Sequence, residues 1–287
     1  MANMVGKTVV ITGATAGIGE ATAVGIARQG ADLALVGRDK ARMEKVAAQC
    51  RQAGAGHVAT YFADFGSLTQ VRALAASLLA DLPRIDVLVN NAGLISQRRS
   101  ETVDGYERVF AVNHLAPYLL TRLLVDRLVA SAPARVVMVA SDAYTFGDMT
   151  PEDWMSTGTF RPMKVYGRSK LGNMLFTYEL AQRLAGSGVT VNCLHPGFVS
   201  TSLARDNKLG VLFLKLARPF IRSPEQGAAT SLLVSTAPIG GEVTGKFFSD
   251  GQIRQPLDRA TDPVMAKRLW DDSAALVGLP AGEPGAT

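Results

Sequence analysis

Short, almost uninterrupted apolar runs alternate along the chain with longer stretches in which apolar residues return at helical spacing. The runs lie at 8–12, 33–37, 58–63, 85–90, 135–140, 190–195 and 246–249. A run with few polar alternates is buried on both faces, as in a parallel sheet covered by helices. The helical stretches fall between the runs, at 17–29, 40–52, 68–79, 105–129, 165–184 and 224–235. This alternation predicts an α/β fold: one doubly wound, Rossmann-type domain with a seven-stranded parallel sheet flanked by helices. No linker or repeat divides the chain, so a single domain over 1–287 is expected, with insertions at about 142–164 and 201–223. Residues 279–287 are rich in Gly and Pro and are expected to be loose.

Composition narrows the function classes. Apolar residues make up 47% and charged residues 19%, enough for a large core and too little charge for a disordered chain. The net charge is +5, from 30 basic and 25 acidic side chains, but the basic residues are scattered and form no run that would mark a nucleic-acid partner. Cys50 and Cys193 belong to no CxxC or Cys/His cluster, and none of the three histidines neighbours another. No metal site is expected, and the thiols read as reduced cysteines of a cytoplasmic protein. The N-terminal residues lead straight into a strand, so no secretory leader is expected, and no stretch is long enough for an integral membrane span.

The first candidate site is the turn Thr12-Gly13-Ala14-Thr15-Ala16-Gly17-Ile18-Gly19. It stands between the first strand and the first helix. Glycines there allow a tight turn and close approach of a pyrophosphate, and the helix start offers N–H groups and the positive end of its dipole. The spacing is G-x-x-x-G-x-G rather than G-x-G-x-x-G, and the placement between strand and helix makes the turn informative. The second strand ends Gly37-Arg38-Asp39. An acidic residue near this strand end serves the ribose of NAD, whereas an arginine accommodates the 2′-phosphate of NADP. Arg38 is therefore assigned to the phosphate, over a plain solvated loop arginine, and Asp39 to capping the next helix.

Tyr166 and Lys170 are four apart on one helix face. A free tyrosine ionises near pH 10. A lysine ammonium about 4 Å away attracts the phenolate by about 4 kcal/mol at an effective dielectric of about 20, enough to lower that ionisation by up to roughly three pH units. The pair could then exchange a proton with an alcohol or carbonyl oxygen near neutrality. Such a pair alone is a common accident of spacing. Here Ser141 closes the fifth strand, where ligands of such sheets bind, though it could equally cap a turn.

With the TGATAGIG turn, Asp64, Asn90-Asn91-Ala92-Gly93, Asn113, Ser141, the YGRSK pentad from Tyr166 to Lys170, and Pro196-Gly197 in this order, the sequence resembles the short-chain dehydrogenase/reductase family from about Thr8 to Asp250. The resemblance implies an oxidoreductase that interconverts a small-molecule alcohol and a carbonyl with NADP(H). It places Gly13, Thr15, Gly17, Ile18 and Gly19 at the pyrophosphate, and Asp64 and Phe65 at the adenine. Asn91, Ala92 and Gly93 would lie along the ribose, Lys170 and Tyr166 at the nicotinamide ribose, and Pro196, Gly197, Val199 and Thr201 around the carboxamide and phosphates. Ser141 would orient the substrate, Tyr166 serve as acid/base, and Asn113 hold a water in a relay through Lys170. In relatives the helices matching 105–129 and 165–184 can build a homodimer interface, and the resemblance extends that to this chain.

Two departures matter. Ser141 and Tyr166 are 25 residues apart, about twice the gap of the commonest members. This gap and the stretch 175–184 resemble the branch of the retinol dehydrogenases and protochlorophyllide-reductase-like proteins. Ala16 stands where some NADP-preferring relatives carry a basic residue, which leaves Arg38 as the phosphate candidate. The apolar content of the insertions (Tyr144, Phe146, Met149, Trp154, Met155 and Phe160, then Leu212, Phe213 and Leu216) points to a lipophilic substrate, with 210–221 as a lid, a packed helix or a peripheral membrane contact. His114 and His57 are expected to pack or to edge a strand, while His195 could touch the site. Two rivals stay open: reduction of a carbon–carbon double bond, and nucleotide binding without turnover.

Overall fold

The computed structural model describes residues 3–197 and 222–282. Seven strands run parallel in the order β3-β2-β1-β4-β5-β6-β7: β1 Thr8–Thr12, β2 Asp32–Gly37, β3 Val58–Phe62, β4 Val87–Asn90, β5 Ala134–Val139, β6 Val189–His195 and β7 Phe247–Ser249. Val9, Val10 and Ile11 of β1 are wholly buried, as the uninterrupted run requires. From β1 the chain winds outward through β2 and β3, then returns to lay β4 on the other side of β1. That reversal opens a crevice beyond the carboxyl ends of β1 and β4.

The sheet has eight strands, one more than the hydrophobic pattern predicts. Strand β8, Gln252–Arg254, pairs antiparallel with β7 through the two-residue turn Asp250-Gly251. Both turn residues have positive φ, 55° and 71°, the geometry of a type I′ hairpin. All three β8 residues are exposed, so no apolar run announces the strand.

Helices cover both faces. Helices α1 (Gly17–Ala27), α2 (Lys40–Ala53), α7 (Pro224–Thr236) and the short α8 (Pro238–Glu242) lie over the core formed by Val9, Ile11, Leu33, Leu35, Val89 and Leu194. Helices α3 (Leu68–Asp81), α5 (Ala116–Ala130), α6 (Pro162–Arg183) and α9 (Pro263–Val277) pack on the other face, around Leu88, Leu119, Val136 and Phe176. The pattern expects one helix over 105–129. The chain instead forms a turn of α4 (Arg108–Phe110), a π-helical segment Ala111–Leu115, and then α5. Pro117 is the cause: it has no N–H to donate to the carbonyl of Asn113 four residues back.

Helix α9 escapes the pattern reading, yet its ends are well marked. Asp262 accepts from the N–H groups of Val264 and Met265, Pro263 opens the helix, and Gly278 closes it at φ 66°. Its Trp270, 1% exposed, stacks on Phe176 and meets Tyr118 edge-on, at centroid distances of 5.9 and 5.3 Å. His114 Nε2 lies 2.9 Å from Ser273 Oγ, and Trp154 Nε1 donates to Asp272 at 2.9 Å. The outer faces of α5 and α6 are thus covered by the chain itself. No helix among the described residues is long and apolar enough to cross a membrane.

Candidate active site

At the crevice, β1 ends in Thr12, whose Oγ accepts from the N–H groups of Asn91 and Ala92 at 3.0 Å each. Asn91 Nδ2 returns the tie, donating to the carbonyls of Thr12 at 2.8 Å and Gly13 at 3.2 Å. The loop after β4 is therefore pinned to the turn after β1. Gly13 has φ 67°, and a Cβ on it would lie 2.8 Å from Ala92 Cα. On Gly19 a Cβ would stand 2.2 Å from the Gly13 carbonyl oxygen, so glycine here lets α1 close onto the turn. The start of α1 carries no side-chain cap, whereas α2, α3, α7 and α9 are capped by Asp39, Ser67, Ser223 and Asp262. An uncapped helix start behind a glycine turn fits the phosphates of a dinucleotide. Thr15, Gly17 and Ile18 lie along the same turn, half-exposed.

Arg38 stands past the end of β2, largely exposed, with Nη1 3.6 Å from Asp64 Oδ1. The residues assigned to the 2′-phosphate and the adenine thus sit side by side. Asp39 caps α2 through the Arg42 N–H at 3.0 Å, as expected. Gly37 is closely packed: a Cβ there would meet Thr15 Cγ2 and Met43 Cε, both at 2.6 Å. One expectation needs correction. Phe65 points its ring into the core at 6% exposure, leaving only its main chain for a nucleotide.

Tyr166 and Lys170 come from the first turns of α6. Lys170 is 4% exposed, donates from Nζ to the Val139 carbonyl at 2.8 Å, and lies 5.6 Å from the centre of the Tyr166 ring. The ammonium therefore sits by the ring face and is anchored to β5. Burial pushes the Tyr166 hydroxyl up to about 12, opposed by a hydrogen bond with Ser141. Burial pulls Lys170 down to about 8. The expected depression of the tyrosine by the lysine is overturned: loss of water disfavours both charges, and this dominates in the protein alone. Tyr166 then keeps its proton at neutral pH, the state a general acid needs.

Ser141 takes the turn-capping role. Its Oγ accepts from the Ala143 N–H at 3.2 Å, capping the 3-10 turn Asp142–Phe146, and its hydroxyl also bonds with Tyr166. Asn113 is fully buried in the π segment. Its Oδ1 accepts from the Leu94 N–H, and its Nδ2 donates to the Leu94 carbonyl, both at 2.8 Å, and to Ser169 Oγ at 3.0 Å. Ser169 in turn donates to the Tyr166 carbonyl at 2.7 Å. Asn113 is thus joined to Tyr166 through Ser169. A Cβ on the exposed Gly93 would lie 3.6 Å from Lys170 Nζ and 3.3 Å from Asn113 Oδ1, so this glycine leaves the pair open toward the crevice. Pro196 and Gly197 follow β6 at the same edge; Val199 and Thr201 lie outside the described residues.

Sequence reasoning gave Thr12 and Ser169 no role of their own and missed a glycine contact. A Cβ on Gly147 would lie 2.3 Å from the Gly167 carbonyl carbon, and one on Gly167 would lie 2.5 Å from the Ala143 carbonyl oxygen. The inserted segment therefore presses directly on α6 beside Tyr166. Arg168 holds it there through Asp148 at 2.9 Å and Ser156 Oγ at 3.1 Å. Of the apolar residues in this insertion, Tyr144 and Trp154 are buried in the protein core while Phe146 is 63% exposed. The insertion 201–223 falls almost wholly outside the described residues.

Comparison with known proteins gives this geometry a family. A model described as short chain dehydrogenase matches residues 7–210. Human retinol dehydrogenase 14 is 41% identical over 294 residues, covering 96% of this chain and 88% of its own. Among solved structures, an uncharacterised protein from Mycobacterium Paratuberculosis shares 32% identity with a TM-score of 0.81, over 98% of this chain and 97% of its own. The RhlG/NADP active-site complex of Pseudomonas aeruginosa shares 25% identity with a TM-score of 0.70, over 86% and 95%. The chain belongs to the short-chain dehydrogenase/reductase family, in its retinol-dehydrogenase-like branch. It is an oxidoreductase that acts on CH–OH and C=O groups with NAD(P)(H).

Proposed function

We propose that this enzyme interconverts a lipophilic alcohol and its carbonyl with NADP(H), and that Tyr166 moves the proton. The observation that carries the reading is the approach of the Ser141 and Tyr166 hydroxyls, with buried Lys170 anchored to β5 beside the Tyr166 ring, at the crevice edge of the sheet. The nicotinamide, when bound, supplies or accepts the hydride. Ser141 and Tyr166 hold the substrate oxygen between their hydroxyls. In the reducing direction Tyr166 donates its proton to that oxygen. Lys170 holds a positive charge beneath the ring, which favours the tyrosinate left behind. Asn113 fixes the Tyr166 main chain through Ser169 and walls the pocket through Leu94.

Arg38 supports the preference for NADP(H), since its planar cation at the end of β2 suits a phosphate that would replace Asp64 as its partner. Likeness to a retinol dehydrogenase supports a lipophilic alcohol, and exposed Phe146 and Met163 offer apolar surface on the segment that precedes Tyr166. Turnover of a panel of retinoid, terpenoid and small polar carbonyls with NADPH tests the reading. Tyr166→Phe should abolish turnover with NADPH affinity held within a few-fold. Near-native turnover by that variant, or preference for the small polar substrates, would refute the respective half.

A further inference from the structure

His195 ends β6 and is 5% exposed. Asp142, on the turn after β5, engages both of its ring nitrogens. The Asp142 main-chain N–H reaches Nδ1 at 3.2 Å, and Asp142 Oδ2 lies 3.3 Å from Nε2. A main-chain N–H can only donate, so Nδ1 is the acceptor and carries no proton. The neutral ring then bears its hydrogen on Nε2, the nitrogen that lies toward the Asp142 carboxylate. The amide in question belongs to the Ser141–Asp142 peptide. It is one of the first N–H groups of the 3-10 turn, which have no partner within the turn itself. Ser141 Oγ serves the next one, on Ala143, and His195 serves this one.

We propose that His195 is a positioning residue for the reaction: its neutral imidazole, accepting at Nδ1 from the Asp142 N–H, fixes the Ser141–Asp142 peptide and so aims the Ser141 hydroxyl at Tyr166. This rests on the reading of Ser141 as the group that orients the substrate. It also makes the arrangement sensitive to pH. Protonation places a hydrogen on Nδ1, facing the Asp142 N–H, and the bond that holds the peptide is lost. Among the described residues, the charged groups around the ring are Asp142 itself, Asp250 in the β7–β8 turn, and Arg222 ahead of α7, which pairs with Asp250 at 2.7 Å. Burial and Arg222 oppose protonation and the two carboxylates favour it; burial is the largest effect, so the ring stays neutral until below its ordinary 6.5.

The test uses the isotope-labelled full chain and variants. Imidazole nitrogen NMR should show the Nε2–H form at neutral pH. The ring and the Asp142 amide should titrate together, below pH 6.5. His195→Asn offers an oxygen near the place of Nδ1 and does not titrate. It should keep kcat within a few-fold and lose the fall in rate on the acid side. His195→Gln reaches toward the place of Nε2 instead, and should lower kcat about tenfold, the loss of one hydrogen bond, with NADPH affinity unchanged. An Nδ1–H tautomer, a ring already charged at neutral pH, or an Asp142 amide that ignores the ring overturns the proposal without any substrate being needed. Equal rates for the Asn and Gln variants overturn it too, where Ser141→Ala is inactive. Full turnover by Ser141→Ala instead defeats the underlying reading of the site.

Discussion

At the scale of single residues, Arg38 and Lys170 each admit a direct test. Among the described residues Arg38 is tied to Asp64 at 3.6 Å, both groups largely in water, and such a pair is weak. A phosphate between them would gain a charge-assisted contact of about 1.5–3 kcal/mol. Arg38→Ala should therefore weaken NADPH about tenfold to a hundredfold and leave NADH nearly unchanged, as read by titrating bound-cofactor fluorescence. An equal effect on both cofactors would remove Arg38 from phosphate recognition. Gly37→Asp is a poorer probe, since Thr15 and Met43 already fill the space above Gly37 and would have to move. For Lys170, burial sets the useful window. Its ammonium persists below about pH 8 and is lost above it. NADPH affinity should fall as pH rises through that value, and the fall should vanish in Lys170→Gln. A flat wild-type profile between pH 7 and 9, measured in steps of one unit, would contradict a charged role for the lysine.

At the scale of elements, the contact between the inserted segment and α6 is the sharpest constraint. Gly167→Ala gains up to about 1 kcal/mol of helix propensity. It also drives a methyl to 2.5 Å from the Ala143 carbonyl, two residues from Ser141. Overpacking of this kind costs about 1–3 kcal/mol and here meets backbone, so the clash wins. The variant should lose both urea stability and kcat; a gain in stability would show that the segment yields freely. The same contact marks the limit of what the chain discloses in advance. The parallel strands and the order of the motifs were legible because buried runs and glycine turns are local signals. Strand β8 was not, having no buried face, although Asp250-Gly251 is the dipeptide its hairpin turn demands. Helix α9 lies beyond the last apolar run, and only its frame of Asp262, Pro263 and Gly278 marks it. The π segment needed Pro117 to be weighed against a continuous apolar pattern. Burial of Tyr144 and Trp154 depends on partners far along the chain, Leu257 and Asp272, which no local pattern reveals.

At the scale of the whole molecule, α9 decides two properties. It covers the faces of α5 and α6 that the family resemblance offers to a second subunit. The chain should therefore behave as a monomer in light scattering, and a dimer whose contacts map to α5 and α6 would contradict this. The second property is acid sensitivity. His114 is 1% exposed between Asn173 of α6 and Ser273 of α9, and burial pulls its pKa down to about 4. The unfolded chain binds a proton there below about 6.5, the folded chain only near 4, so this stability is present above 6.5 and is lost as pH falls between the two values. The loss is at most about 3 kcal/mol. Urea midpoints measured across this range should slope accordingly, and His114→Gln should flatten them.

The position of α9 along the chain also bears on the order of assembly. Every described strand of the sheet precedes residue 263, and so do Tyr118, Phe176 and helix α6. As the chain emerges from the ribosome, the nucleotide-binding half can close while the aromatic surface of α5 and α6 is still bare. Trp270 arrives after them, seats on Phe176 and Tyr118, and is itself flanked by the guanidinium groups of Arg122 and Arg183 at 4.6 and 4.3 Å. Until that side chain arrives, the growing protein presents a sticky apolar face, the situation in which chaperones engage a nascent chain. Helix α9 thus works as the clasp that ends this exposure.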